Sequence, residues 1–129
     1  QVFLGNPEEA IAHVERALRL DPRGFNRANM HGVLGTSHLY LGRYEAAIRY
    51  LELICDERPA YPFSHFMLAA AYGLVGRLED ARASLAEFRR LRPGIGMARL
   101  RAEALSRHPK YLALRERVYE GLRLAGLEE

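Results

Sequence analysis

From Pro7 onward, apolar and aromatic positions return along the chain in a 3-4-3 rhythm. Pro7, Ala10, Val14 and Ala17 begin it; Tyr44, Ala47, Leu51 and Ile54 repeat it, and so do Leu78, Ala81, Leu85 and Phe88. Between these runs, His31, Leu34, His38 and Leu41, then His65, Leu68, Tyr72 and Val75, keep the same spacing. Residues so spaced share one face of an α-helix, so a series of amphipathic helices is predicted. Asn6 suits an N-cap, Pro7 the first turn, and Glu8 and Glu9 the positive end of the helix dipole. Asp21-Pro22 stops that helix, because proline cannot extend the hydrogen-bond ladder. Gly42 is placed to end the next helix as a C-cap. After a shorter stretch from Ile95 to Leu105, His108-Pro109 breaks the chain. Tyr111, Leu114 or Arg115, Val118, Leu122 and Ala125 then mark a final amphipathic helix, the predicted cap of the array.

The rhythm has a longer period inside it. Gly42-Arg43-Tyr44-Glu45-Ala46-Ala47 recurs as Gly76-Arg77-Leu78-Glu79-Asp80-Ala81, 34 residues later. Leu34 and Leu68, and Pro59 and Pro93, are separated by the same 34. Two helices per 34 residues is the length of a tetratricopeptide (TPR) repeat. His31-x2-Leu34-Gly35-x2-His38, Ala47-x3-Leu51 and Pro59 follow that family's W-x2-L-G-x2-Y, A-x3-F, P order. His65-x2-Leu68-Ala69-x2-Tyr72, Ala81-x3-Leu85 and Pro93 follow it again. The chain therefore resembles TPR proteins, which implies an all-α fold: a right-handed superhelix of antiparallel helix pairs. In that frame residues 5–22 are the second helix of an incomplete repeat, and 28–59 and 62–93 are repeats. Residues 95–127 are a degenerate repeat and cap, and 1–129 form one domain. Arg23 to Arg27 makes the first connection longer, so Gly5 and Gly42 are 37 apart. Ile54 and Phe88 occupy a slot that the family usually gives to Ala, and are expected to push neighbouring helices apart or alter their crossing.

Composition is that of an ordinary globular protein, 49% apolar and 27% charged over 129 residues. No apolar run approaches the ~18–20 residues of a membrane span. Gln1-Val2-Phe3-Leu4 shows neither Met nor a basic leader and reads as a cut through a longer protein. The single Cys fits a reducing, cytoplasmic setting, and Cys55 lies on the apolar side of its helix as an inert thiol. The net charge of +3 is uneven: ten basic residues and three Glu lie between Arg82 and Arg117. Of the 19 basic residues 18 are Arg, spread through most of the chain, which points to codon bias rather than phosphate contacts. The Arg89 to Arg107 region is the one stretch that could meet nucleic acid, but it lacks interleaved aromatics for base stacking.

Catalytic and metal chemistry is not indicated. His31 and His38 share a face and His65 repeats the slot of His31, but no i, i+4 His pair with an acidic neighbour forms a zinc signature. His31 and His65 stand where the family has Trp, and His38 where it has Tyr, so they read as polar-tipped packing residues. Ser37, Ser64, Ser84 and Ser106 lack a nucleophile-elbow context, and Cys55 shows no basic neighbour. Gly94-x-Gly96 is too short for a phosphate loop. The expectation is a non-enzyme with no cofactor and no metal.

Finer runs, among them Pro7-Glu8-Glu9-Ala10-Ile11, Ala17-Leu18-Arg19-Leu20-Asp21-Pro22 and Glu120-Gly121-Leu122-Arg123-Leu124-Ala125-Gly126-Leu127, resemble the C-terminal region of bacterial class III adenylate/guanylate cyclases. Related tails occur in winged-helix transcription regulators. The resemblance implies an upstream catalytic or DNA-binding domain and a regulatory or dimerising role for these repeats. No cyclase metal-binding or base-recognition residue is present here, so it carries no nucleotide chemistry to this chain. The TPR resemblance implies a protein or peptide partner in a concave groove. Its slots are Asn29, Gly32, Thr36, Leu39 and Tyr40, then Phe63, Phe66, Ala70, Gly73 and Leu74. With no Lys and one Asn, these slots do not suit a carboxylate clamp; they suit an apolar or aromatic-bearing peptide or helix. The alternative is that adjacent helices cover the rings, and solvent accessibility decides between the two. Finally, Ala10, Ile11, Val14, Ala17 and Leu18 lack their hairpin partner and are expected to form a self-association face for a homodimer, unless Val2-Phe3-Leu4 folds back and the second helix pair covers the rest.

Overall fold

The computed structural model describes residues 6–21, 27–102 and 109–127, with the backbone alone for 109–112 and 114. Among these residues the chain is all-helical: α1 (Pro7–Leu20), α2 (Arg27–Tyr40), α3 (Tyr44–Glu57), α4 (Pro62–Leu74), α5 (Leu78–Leu91), α6 (Met97–Ala102) and α7 (Pro109–Ala125). The Val2-Phe3-Leu4 stub, the connection after Pro22, and the break before Pro109 lie outside the described residues, as do the side chains of Lys110, Tyr111 and Leu114.

The helix ends have local causes. At α1, Asn6 Oδ1 accepts from the Glu9 backbone N–H at 3.1 Å, while Asn6 Nδ2 donates to Glu9 Oε2 at 3.1 Å. One of the four orphan amides of the first turn is thereby satisfied. α2 closes at Gly42, whose φ of +81° lies in the left-handed region that glycine adopts without a Cβ clash. Arg43 N–H then donates to His38 O at 2.8 Å, and Gly42 N–H to Leu39 O at 3.0 Å. This pair of bonds is a Schellman cap, and it turns the chain directly into α3. Gly76 repeats the cap between α4 and α5, with Arg77 N–H donating to Tyr72 O at 2.9 Å. Gly126 ends α7 in the same way, through Leu127 N–H to Leu122 O at 2.9 Å.

α2 with α3, and α4 with α5, pack as consecutive hairpins, with α3 against α4 and α1 against α2. Ala47, Leu51, Met67, Ala81, Leu85 and Phe88 belong to one buried core that runs from α2 to α7. Ile11, Val14 and Leu34 form a smaller cluster between α1 and α2. Ile54 and Phe88, the two bulky departures, are both buried and both find room. A Cβ on Gly32 would lie 3.5 Å from Ile54 Cδ1, so α2 receives Ile54 where it has no side chain. Phe88 meets Phe66 with ring centroids 5.5 Å apart. At Gly35 a Cβ would come within 2.8 Å of Leu51 Cγ, which is why this slot takes glycine. The final helix does not simply stack on the end of the array: α7 lies along α4, and touches α5 and α2.

Candidate functional site

The groove slots come together on α2 and α4, but the space in front of them is occupied. Asn29 is exposed, and Thr36, Phe63 and Leu74 are half-buried. Leu39 and Ala70 are fully buried, Phe66 is 6% exposed and Tyr40 8%. The expected open row of rings is therefore open only at Phe63. The reason is α7, whose Val118, Tyr119, Leu122 and Ala125 are buried in the same core.

The seat of α7 is shaped by missing side chains. A Cβ on Gly73 would fall 2.3 Å from Gly121 O, and one on Gly121 would fall 2.1 Å from Ala70 O. Both distances are far inside van der Waals contact, and both end on backbone that no side-chain rotation can clear. The two helices thus touch backbone to backbone, which accounts for the small residues between the rings of α4. Beside this crossing, the Arg115 guanidinium, on a side chain only 7% exposed, lies 5.6 Å from the Phe66 ring centroid. It lies 5.4 Å from the Tyr119 ring, and its Nε donates to Tyr119 Oη at 3.3 Å. Burying a guanidinium is tolerable when its donors and its flat face are both engaged.

Arginines also fasten the rim. Arg117 Nη1 donates to Tyr40 O at 2.9 Å, satisfying a carbonyl in the last turn of α2. Arg89 Nη2 donates to Gly126 O at 3.2 Å, and Arg101 Nη1 reaches Glu116 Oε2 at 2.5 Å. Arg101 also stacks over the Tyr119 ring at 4.4 Å. Arg90 pairs with Glu87 within α5. The basic cluster noted in the sequence is thus largely engaged within the chain; Arg107 lies outside the described residues.

The histidines pack and hydrogen-bond. His38 lies nearly parallel to Tyr50, with centroids 5.7 Å apart, and His31 stacks on the same ring at 6.0 Å. His31 Nδ1 and Arg27 Nε reach the two oxygens of Glu57, at 3.1 and 2.7 Å. Partial burial alone would raise the Glu57 pKa, but these two donors outweigh it and hold the carboxyl below its ordinary range. His65 Nε2 meets Pro59 O at 2.7 Å, which requires a proton on that nitrogen, and leaves Nδ1 to face Cys55 Sγ at 3.8 Å. Cys55 does, therefore, have an imidazole neighbour, contrary to the sequence expectation, which could not see a contact ten residues away. The thiol is nonetheless not activated. Burial, with Asp56 and Glu52 nearby, pushes its pKa up to about 11. Among the described residues no three His, Cys, Asp or Glu side chains gather as a metal site.

The α1 stripe is covered too. Ala10, Ile11 and Val14 are buried, and Ala17 and Leu18 half-buried, as Leu18, Met30, Leu41 and Tyr50 close around the Ile11–Val14–Leu34 cluster. Most of the stripe expected to serve as a self-association face is thus covered within the chain, and the exposed apolar residue at the C-terminal end of α1 is Leu20, outside that stripe, at 82%.

Three residues that sequence alone did not mark as site residues, Arg115, Arg117 and Gly121, fill or border the groove. The signal available for them was the small-residue run Ala69-Ala70-Ala71 with Gly73, which marks a close helix approach without saying by which helix. No helix among the described residues is long and apolar enough to cross a membrane. No curated protein gives a match to the chain. A family model for the tetratricopeptide repeat matches residues 1–65 and again 33–94, the second match spanning α3 to α5 whole. With the helix pairs, their glycine caps and this match in agreement, the chain belongs to the tetratricopeptide repeat family.

Proposed function

We propose that this chain is a non-catalytic protein–protein interaction module whose concave groove is filled in cis by α7, and that a partner gains the groove by taking the place of that helix. TPR repeats generally mediate protein–protein interaction and are typically non-catalytic. The observation that carries the finer reading is the backbone-to-backbone crossing at Gly73 and Gly121, because a surface shaped this closely to a helix is a helix-binding surface. Asn29 is exposed and Thr36, Phe63 and Leu74 are half-buried, and these offer a partner its first foothold. Selection of helical peptides against the full chain, repeated with Phe63→Ala and Leu74→Asp, tests this. Ligands that these variants release support the groove. Ligands that bind both variants as well as the parent chain overturn it.

A second reading, a regulatory or dimerising tail of a nucleotide cyclase or winged-helix regulator, rests on the resemblance of the sequence runs alone, and the upstream reading frame decides it. Self-association through α1 would have to use Ala17, Leu18 and Leu20, since Ala10, Ile11 and Val14 are buried. Leu20→Glu is the clean test, because Val14→Glu would disrupt packing within one chain. A dimer dissociated by Leu20→Glu supports that face, and a monomeric mass unaltered by the change removes it.

A further inference from the structure

The way α7 fits α4 also specifies what kind of helix the groove takes. This inference rests on the reading above and names the partner class. We infer that the groove recognises amphipathic helices carrying a glycine at the crossing point, with an arginine six residues before it and apolar residues around it. α7 itself is the template: Arg115, Val118, Tyr119, Gly121, Leu122 and Ala125.

Two features of the groove impose that register. The first is steric. Ala70 O would lie 2.1 Å from a Cβ at position 121, so any side chain there forces the helices apart along the whole crossing. Gly73 is the reciprocal gap on the groove side, where Gly121 O leaves no space for a Cβ. The second is electronic. Phe66 presents its ring face to the guanidinium of Arg115, and the same ring is held edge-on by Phe63 at 5.3 Å and backed by Phe88. A cation is favoured over an aromatic face that adjacent rings hold in place. A lysine would supply the charge but not the planar group that also donates to Tyr119 Oη.

Displacement is feasible because the polar fastenings of α7 are made by exposed or rim arginines, Arg89, Arg101 and Arg117 among them, which contribute little each in solvent. Most of the hold on α7 comes from burial of its apolar face, and a second helix of the same pattern reproduces that burial. As part of the same chain α7 competes intramolecularly, so a rival must exceed that advantage or meet a chain whose α7 is impaired.

The experiment uses the full chain and a fluorescent peptide spanning residues 109–127. In the full chain, Gly121→Leu unseats its own α7. The peptide is expected to bind this variant at least about tenfold more tightly than the parent chain, and a peptide itself carrying Gly121→Leu to bind at least about tenfold more weakly than the native peptide. Should Gly121→Leu leave the chain unfolded on its own, the native peptide is expected to restore its helical circular dichroism saturably, and the altered peptide not to. If both peptides bind or restore equally, the glycine requirement is overturned while the groove survives. If neither does, helix recognition in trans fails and the proposed function fails with it. If the labelled chain instead exchanges α7 between two copies, seen as a peptide-sensitive dimer, the same glycine dependence must hold there, and its absence overturns the inference.

Discussion

His38 shows how one side chain can hold a repeat together and limit it. Its ring packs flat on Tyr50, and its Nδ1 is buried without a hydrogen-bond partner. A tyrosine, the family's usual residue, would pack there without titrating near neutral pH. Burial above all, then Arg43, lowers the His38 pKa from 6.5, with Arg49 adding to this and Glu15 opposing it. The neutral ring is the form the fold accepts. Its contribution to stability is therefore fully present above the ordinary value of 6.5, and is lost as pH falls through the lowered folded value, because the unfolded chain takes the proton first. Urea midpoints measured from about pH 8 down to about pH 5 are expected to fall, and His38→Phe, which keeps the stack, is expected to flatten that acid limb. A slope unchanged by the substitution would remove His38 as its source.

Glycines at element scale do two unlike jobs, and mutation separates them. Gly76 is needed for its φ of +82°, with open space where a Cβ would go. Gly73 is needed for the room it leaves Gly121. Alanine at position 76 costs about 1–2 kcal/mol of left-handed backbone strain, and asparagine, which tolerates that region, recovers part of it. Alanine at position 73 overpacks the α4–α7 crossing at a cost of about 1–3 kcal/mol, and asparagine there is worse, being larger. Urea denaturation of Gly76→Ala, Gly76→Asn, Gly73→Ala and Gly73→Asn reads the opposite orders. If asparagine recovers stability at position 73, the crossing is not the constraint. The pairing of helix ends follows the same local logic: Gly42, Gly76 and Gly126 close three helices through one pattern of bonds.

Across the whole molecule, stability is unevenly shared. α4 lies against α3, α5 and α7 at the centre of the main core, with Met67 and Ala69 to Ala71 fully or almost fully buried. α1 is held by a small separate cluster of Ile11, Val14 and Leu34. Repeat arrays lose their end elements first, since each element is stabilised mainly by its neighbours. Native-state hydrogen exchange is expected to show α1 amides opening at lower free energy than those of α4, with α4 exchanging only on global unfolding. Equal protection along both helices would mean that the array unfolds as one unit.

The helices, their order and their ends are properties of local sequence. The 3-4-3 rhythm, Asn6 before Pro7, and the glycines after Leu41 and Val75 act within a turn or two of backbone, so they are legible one stretch at a time. The 34-residue repeat adds the pairing of α2 with α3 and of α4 with α5, because short connections leave hairpins little choice. The seat of α7 is another matter. Val118, Leu122 and Ala125 announce an apolar face, but an amphipathic pattern says only which side must be buried, not which surface buries it. That choice rests on a backbone approach between Gly73 and Gly121, 48 residues apart, and on an arginine that enters an aromatic socket made by another helix. The covering of the α1 stripe and the meeting of His65 with Cys55 are settled in the same way. Each depends on which surfaces reach each other in three dimensions, and that is decided only when the helices pack.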